Sequence, residues 1–186
     1  MTGWCIAVVG PSGVGKDSVM AAMAAARPFV LARRVITRPA APESEAFESV
    51  DEADFAARAA SGDFVLHWQA HGLAYGVPRG VRGDLAAGRD VLLNLSRGVL
   101  GEAQQRFARF LVLELSATPE TLARRLAGRG REDAAAIAAR LARGAPIPPP
   151  DVTVLKIAND GPLDFTAHQA IAAIDAAKSA MKEAYP

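Results

Sequence analysis

Apolar positions along this chain switch repeatedly between two periods. Residues 4–9 (WCIAVV) form an unbroken apolar run closed by Gly10, the pattern of a strand covered on both faces. Over residues 15–26, Val19, Met20 and Met23 recur at helical spacing among alanines, and Arg27-Pro28 ends the helix. Residues 29–36 read as a second strand, 37–49 as a loop broken by Pro39 and Pro42, and 51–60 as a short helix with an acidic first turn. Residues 64–71 and 73–77 read as extended segments parted by Gly72, a small antiparallel excursion. The alternation then resumes with a weak helix at 81–87, a buried strand at 90–95, a helix at 100–107 and a strand at 110–115. A helix at 119–126 carries proline in its first turn and another spans 134–142. APIPPP at 145–150 is a stiff extended break, too short to link domains, before a strand at 152–157 and a closing helix at 165–184. No internal repeat is present. Alternating strands and helices predict an α/β fold, an open parallel sheet with helices on both faces.

Composition narrows the class without naming a chemistry. The chain has 186 residues, 51% hydrophobic and 22% charged, with a formal net charge of +1, values of one soluble domain with a sizeable core. Neither sign dominates, so no nucleic acid or membrane surface is expected as a partner. The single cysteine, Cys5, lies inside an apolar strand pattern and reads as a small buried hydrophobe. The first apolar run ends at Gly10 and no stretch reaches the ~20 apolar residues that span a bilayer, so a cytoplasmic location is expected.

Chemistry enters with GPSGVGKDS at 10–18. Gly10-x-x-x-x-Gly15-Lys16 follows a buried strand and opens a helix, the context in which glycines let backbone N–H groups curl around phosphate oxygens. Gly10, Pro11, Ser12, Gly13, Val14, Gly15, Lys16, Asp17 and Ser18 are therefore the predicted nucleotide-binding residues, with Lys16 supplying a full positive charge. Where a hydroxyl normally follows the lysine, this chain has Asp17, and the hydroxyl arrives one residue late as Ser18. Many such proteins hold Mg²⁺ with the loop hydroxyl and an aspartate at the end of a neighbouring strand. Here the strand DVLLN ends in Asn94 with no acid. Two readings of Asp17 stand: an acid favoured by the helix dipole, or a Mg²⁺ ligand assisted by Ser18 or Ser12.

A second set of basic residues lies in RRVITRP at 33–39. Strand ends in a parallel sheet face the ligand crevice, and arginine forks grip phosphate, so Arg34 and Arg38, with Thr37, are predicted receptors for a phosphorylated acceptor. His67 and His71 stand four apart on an extended segment and are expected to pack or to touch substrate rather than to bind metal.

Together GPSGVGK, TRP, FVLHWQAHGLAYGVP, RRLAGRGRE and IANDG resemble the guanylate kinase family, in order over nearly the whole chain. The resemblance implies a P-loop kinase fold: a parallel central sheet flanked by helices, with a core at 1–34 and 81–186, a small acceptor-binding insertion at about 35–80 and a helical lid at about 125–145. It also places Leu66 where guanylate kinases carry a guanine-reading glutamate, Ala41 where a second phosphate-binding arginine stands, and Phe47 where a tyrosine stands. Leaving guanine's N–H donors buried and unpaired costs about 1–3 kcal/mol each, so guanine is a poor acceptor for such a site. The longer string GPSGVGKDS, RRVITRP, HWQAHGLAYGV, DVLLNLSRG, RGRE and NDG is similar to one branch of that family, whose members phosphorylate ribose 1,5-bisphosphate in phosphonate breakdown. That branch implies conversion of the sugar bisphosphate to 5-phosphoribosyl 1-diphosphate with ATP and Mg²⁺. Asn94, Ser96 and Arg97 would then contact sugar hydroxyls and phosphate, and Gln69 and Tyr75 would line the same pocket. Lys16 would bridge the β- and γ-phosphates, and Arg129 and Arg131, with Arg125 or Arg140, would close onto the transferring group. Asn159 would contact the adenine side by family position, or serve as a turn residue of NDG. No general base is visible, and none is needed when the acceptor is a phosphate whose second pKa is ~6. A nucleoside monophosphate kinase and a catalytically inactive interaction module are the alternatives.

Overall fold

In a computed structural model describing residues 2–39, 47–127, 149 and 151–184, the chain runs β1 (Cys5–Val9), α1 (Lys16–Ala26), β2 (Val30–Leu31), β3 (Val35–Ile36), β4 (Glu48–Ser49), α2 (Glu52–Ala60), β5 (Phe64–Ala70) and β6 (Leu73–Pro78). It continues through α3 (Val81–Ala86), β7 (Val91–Asn94), a 3-10 turn (Arg97–Val99), α4 (Leu100–Arg106), β8 (Phe110–Ser116), α5 (Pro119–Ala127), β9 (Val154–Ala158) and α6 (Leu163–Ala184). The predicted helix at 134–142 and most of the 145–150 break lie outside the described residues.

The main sheet has the order β2-β7-β1-β8-β9 with every pair parallel. Its central strands β1, β7 and β8 are largely apolar because both faces are covered, and side-chain alternation divides them between two cores. Ile6, Val8, Leu92, Leu111 and Leu113 pack with Val19, Met20 and Met23 of α1 and with Ala170 and Ile174 of α6. Cys5, Ala7, Val9, Val91, Leu93 and Val112 face the other way, against Leu100 and Ala103 of α4, Val81 of α3, and Leu66 and Val77 of a second sheet. At the N-terminal edge, Asp90 accepts from the Trp4 backbone N–H at 3.0 Å and from the Lys178 ammonium, and Arg27 pairs with Asp175. These contacts pin α1 and α6 to the bottom of the sheet.

That second sheet, ordered β4-β3-β6-β5, corrects one expectation. The predicted strand at 29–36 is two strands in two sheets: β2 pairs with β7 in the main sheet, and β3 pairs with β6. Both halves are apolar, β3 buried and β2 only partly so with Leu31 exposed, so the run looks continuous although the chain changes sheets between them. The predicted loop at 37–49 also contributes β4, which pairs in parallel with β3. β5 and β6 form the expected antiparallel hairpin, turned by His71 and Gly72 at φ 53° and 72°, the left-handed pair that a tight hairpin turn requires. Asp51 caps α2 by accepting from the Asp54 N–H at 2.7 Å. Phe55 of α2 stacks on Phe64 at 4.8 Å and covers the outer face of the small sheet.

Candidate active site

The loop between β1 and α1 is shaped by backbone that only glycine adopts easily. Gly15 caps α1 at φ 89°, and a Cβ there would sit 2.9 Å from the Asn159 amide nitrogen. A Cβ on Gly10 would meet the Leu115 carbonyl at 2.6 Å. The Lys16 ammonium donates to the Gly10 and Pro11 carbonyls at 3.1 and 3.3 Å, so the lysine curls back across its own loop. Behind the loop, Asn159 donates to the Val14 carbonyl at 2.8 Å and accepts from the Thr166 hydroxyl at 2.9 Å. Only 2% of Asn159 is exposed, so the residue expected beside adenine or in a turn braces the loop from within. Arg125 of α5 donates to the same Val14 carbonyl at 3.3 Å.

Asp17 and Asn94, 77 residues apart in sequence, meet here: the Asn94 amide donates to Asp17 Oδ1 at 2.8 Å. Asn94 is buried at the end of β7 and is engaged with the loop aspartate, on the nucleotide side where a sugar contact was expected. Ser12 and Ser18 are both exposed. Among the described residues no three His, Cys, Asp or Glu side chains cluster as a metal site. One carboxylate beside a phosphate loop nevertheless suits Mg²⁺, whose shell is commonly completed by phosphate oxygens and water.

Across the cleft, the inner face of the small sheet carries Arg34, Ile36, Trp68 and Tyr75. Trp68 and Tyr75 are register partners stacked at 5.3 Å, and the Arg34 guanidinium lies 5.5 Å from the Tyr75 ring centre. Arg34 itself is buried. Thr37 extends the pairing by exchanging hydrogen bonds with Ala74, its hydroxyl accepting at 2.8 Å. Gln69 follows Trp68 and pairs with Ala74, so it points to the opposite, exposed face. The expectation that Gln69 and Tyr75 line one pocket is thus corrected by strand parity. Leu66 is 1% exposed and belongs to the core that joins the two sheets. His67 contacts Phe64 ring to ring and His71 forms the turn.

The loop after β7 holds Ser96 and Arg97 half-buried between Leu95 and Val99, which pack in the same core. Arg97 pairs with Glu114 of β8 at 3.1 Å, each side chain about one-fifth exposed. Glu114 was not among the predicted site residues, yet it is the lone acid in the apolar strand FLVLELS, a visible signal. Arg129, Arg131 and Arg140, and the departure at Ala41, lie outside the described residues.

Three titratable groups among the described residues are displaced, one of them Arg58 on α2, raised chiefly by its hydrogen bond to Glu48. Burial pushes the Cys5 thiol well above its ordinary range, which leaves it an inert core group. Hydrogen bonds from the Thr118 backbone and the Thr121 side chain hold Asp160 below the usual carboxylate value, with Arg125 adding a smaller push. Asp160 thereby ties the start of α5, which carries Arg125, to the loop after β9.

No family model matches the chain. The protein named "Ribose 1,5-bisphosphate phosphokinase PhnN" from Ruegeria sp. (strain TM1040) is 47% identical over 176 residues, 94% of this chain and 93% of that one. The protein of the same name from Methylobacterium radiotolerans is 42% identical over 92% of this chain and 97% of its own. Among solved structures, guanylate kinase from Anaplasma phagocytophilum superposes with a TM-score of 0.67 over 95% of this chain and 86% of that chain. Its 21% identity speaks for the fold alone. With this identity along nearly the full length of both chains, the protein belongs to the ribose 1,5-bisphosphate phosphokinase family.

Proposed function

We propose that this chain transfers the γ-phosphoryl group of ATP to the 1-phosphate of ribose 1,5-bisphosphate. An acceptor phosphate oxygen forms a bond to the γ-phosphorus, the bond to the β–γ bridging oxygen breaks, and ADP leaves with 5-phosphoribosyl 1-diphosphate as product. The observation that carries the reading is the acceptor wall. It presents Arg34 against the stacked Trp68–Tyr75 pair and Arg38 against Phe47, and it buries Leu66 where the resemblance to guanylate kinases puts a guanine reader. Such a wall attracts anions, and an aliphatic Leu66 offers no acceptor to guanine's N–H donors.

Residues 10–18 would hold the triphosphate, with Lys16 moving from the loop carbonyls onto the β- and γ-phosphates. Asp17, with Ser18 or Ser12, would hold Mg²⁺, which supplies charge neutralisation on the phosphate oxygens when bound. Asn94 keeps Asp17 aimed at that position. A phosphate acceptor arrives already ionised, so the chain's task is to position two polyanions and offset their repulsion. Within this reading residues 1–34 and 81–186 form the core, about 35–80 bind the acceptor, and about 125–145 form a lid bringing Arg129 and Arg131 to the transferring group. Arg125, at the lid's base beside Val14, links lid to loop, and Asn159 holds the loop's shape for the nucleotide. This reading puts the enzyme where ATP is supplied, in the cytoplasm; no helix among the described residues is long and apolar enough to cross a membrane.

Phosphorus NMR of ATP turnover against ribose 1,5-bisphosphate, ribose monophosphates and GMP tests the proposal. Turnover fastest with the bisphosphate is the expected result. Faster turnover of GMP, or no phosphoryl transfer to any acceptor, refutes it.

A further inference from the structure

We infer that the acceptor site is a two-anion clamp, in which Arg38 and Arg97 each grip one end of an acceptor carrying two phosphate groups and Glu114 is the positioning residue that fixes Arg97. The inference rests on the phosphosugar reading above and adds a division of labour to it.

Among the described residues, three buried side-chain polar atoms lack a hydrogen-bond partner: Trp4 Nε1, Arg38 Nε and Arg97 Nε. Trp4 lies at the far edge of the main sheet, beside Asp90. The other two are guanidinium groups at the cleft. Buried N–H groups without partners are uncommon in folded chains, and each calls for an explanation. Two of one chemical type, one on each of two sheets that share a core, point to an anionic ligand with two heads.

The arginines approach from different sheets. Thr37 still pairs with Ala74, so Arg38 falls on the same side of the small sheet as Ile36, which stands opposite Tyr75. Its guanidinium lies 4.7 Å from the Phe47 ring centre, and its carbonyl accepts from the Ser49 hydroxyl at 2.6 Å. Those contacts fix the arginine's direction, and neither of them supplies an anion among the described residues. Arg97 comes from the main sheet and is set by Glu114 at 3.1 Å. Val112, two residues before Glu114 on β8, packs in the core that also holds Leu66 and Val77 of the small sheet. Glu114 therefore faces the acceptor side of the main sheet. The apolar core shared by the two sheets has Trp68 packed against it, and Trp68 stacks on Tyr75. One phosphate is gripped by one fork; two forks from different sheets suit the two ends of a pentose bisphosphate.

The test is calorimetric titration of the full-length protein, with a non-hydrolysable ATP analogue present, using ribose 1-phosphate and ribose 5-phosphate as separate probes. The readout is the ratio of the two dissociation constants. Arg38→Met and Arg97→Met are expected to shift that ratio in opposite directions, each by about 10- to 100-fold. Glu114→Gln shifts it in the direction of Arg97→Met by about threefold to tenfold, since it loosens the fork without removing it. Arg97→Lys keeps the charge, loses the fork and moves the ratio the same way, which guards against a misfolded methionine variant. Ratios that stay put, or that move together in both methionine variants, overturn the clamp. Crossed shifts in a protein that never turns over ribose 1,5-bisphosphate would keep the clamp and remove the kinase reading. Turnover with unshifted ratios would do the reverse.

Discussion

Asn94→Asp is the substitution that best separates a metal role for Asp17 from a purely helical one. The Asn94 amide is 6% exposed and donates to Asp17 Oδ1 at 2.8 Å. An aspartate has the same shape, so the change replaces a donor with an oxygen and little else. A hydrogen bond to a charged group, about 1.5–3 kcal/mol, is lost. In its place two carboxylates face each other; unit charges about 4 Å apart repel by about 4 kcal/mol at an effective dielectric of about 20. Sharing a proton relieves part of that repulsion, leaving a net loss of about 3 kcal/mol without metal. For a chain of this length that is a melting temperature lower by about 6–12 °C. The new carboxylate also stands where phosphate-loop proteins commonly carry a Mg²⁺-binding aspartate. If Asp17 faces the metal position, Asn94→Asp makes a two-carboxylate site, and Mg²⁺ at about 100 times its dissociation constant restores about 2.7 kcal/mol. The assay is differential scanning calorimetry of wild type and variant without nucleotide, in chelator and in excess Mg²⁺. The expected pattern is a deep loss in chelator and near-complete recovery with Mg²⁺. An equal loss in both buffers would show that the pair is no metal site and return Asp17 to the helix dipole.

Two further outcomes follow from the braces around the phosphate loop. Asn159→Ala removes the bonds to the Val14 carbonyl and from the Thr166 hydroxyl, so urea denaturation should show a loss of about 2–3 kcal/mol together with weaker nucleotide binding; unchanged stability would remove Asn159 from the loop's support. Asp160 is held below its ordinary value of 3.8 by donors on Thr118 and Thr121, so its contribution is fully present above that value and is lost as pH falls through the depressed folded one. Asp160→Asn should melt below wild type at neutral pH, the gap closing only in acid, and a gap independent of pH would contradict the assignment.

What the sequence disclosed and what it hid follow from how far each interaction reaches along the chain. Strand β1, the phosphate loop and α1 are contiguous, and apolar run, glycines and lysine are read directly from residues 4–26. The segment at 29–36 misled because periodicity reports burial and not partner: Val30–Leu31 and Val35–Ile36 are strands of different sheets. Gln69 was a different failure. The two-residue turn at His71 and Gly72 fixes the pairing of Gln69 with Ala74 and of Trp68 with Tyr75, so parity alone separates Gln69 from Tyr75. The Asn94–Asp17 bond had no local signature, because it depends on β7 lying beside β1 in one register.

That register also explains where the site's two carboxylates act. In β1, Val8 pairs with Asn94 on one side and Val9 with Glu114 on the other, one residue before the loop begins. Leu92, two residues before Asn94, belongs to the core under α1, whereas Val112, two before Glu114, belongs to the core under the small sheet. Alternation therefore sends Asn94 toward Asp17 and the nucleotide loop, and Glu114 toward Arg97 and the acceptor wall. Asp17 and Glu114 are thereby held from opposite faces of one sheet, each by its own partner. A slip of one residue in β7 would turn Asn94 to the acceptor face and leave Asp17 without its donor. The apolar residues that lock β7 between β1 and β2 thus determine the placement of the polar groups as well as the stability of the core.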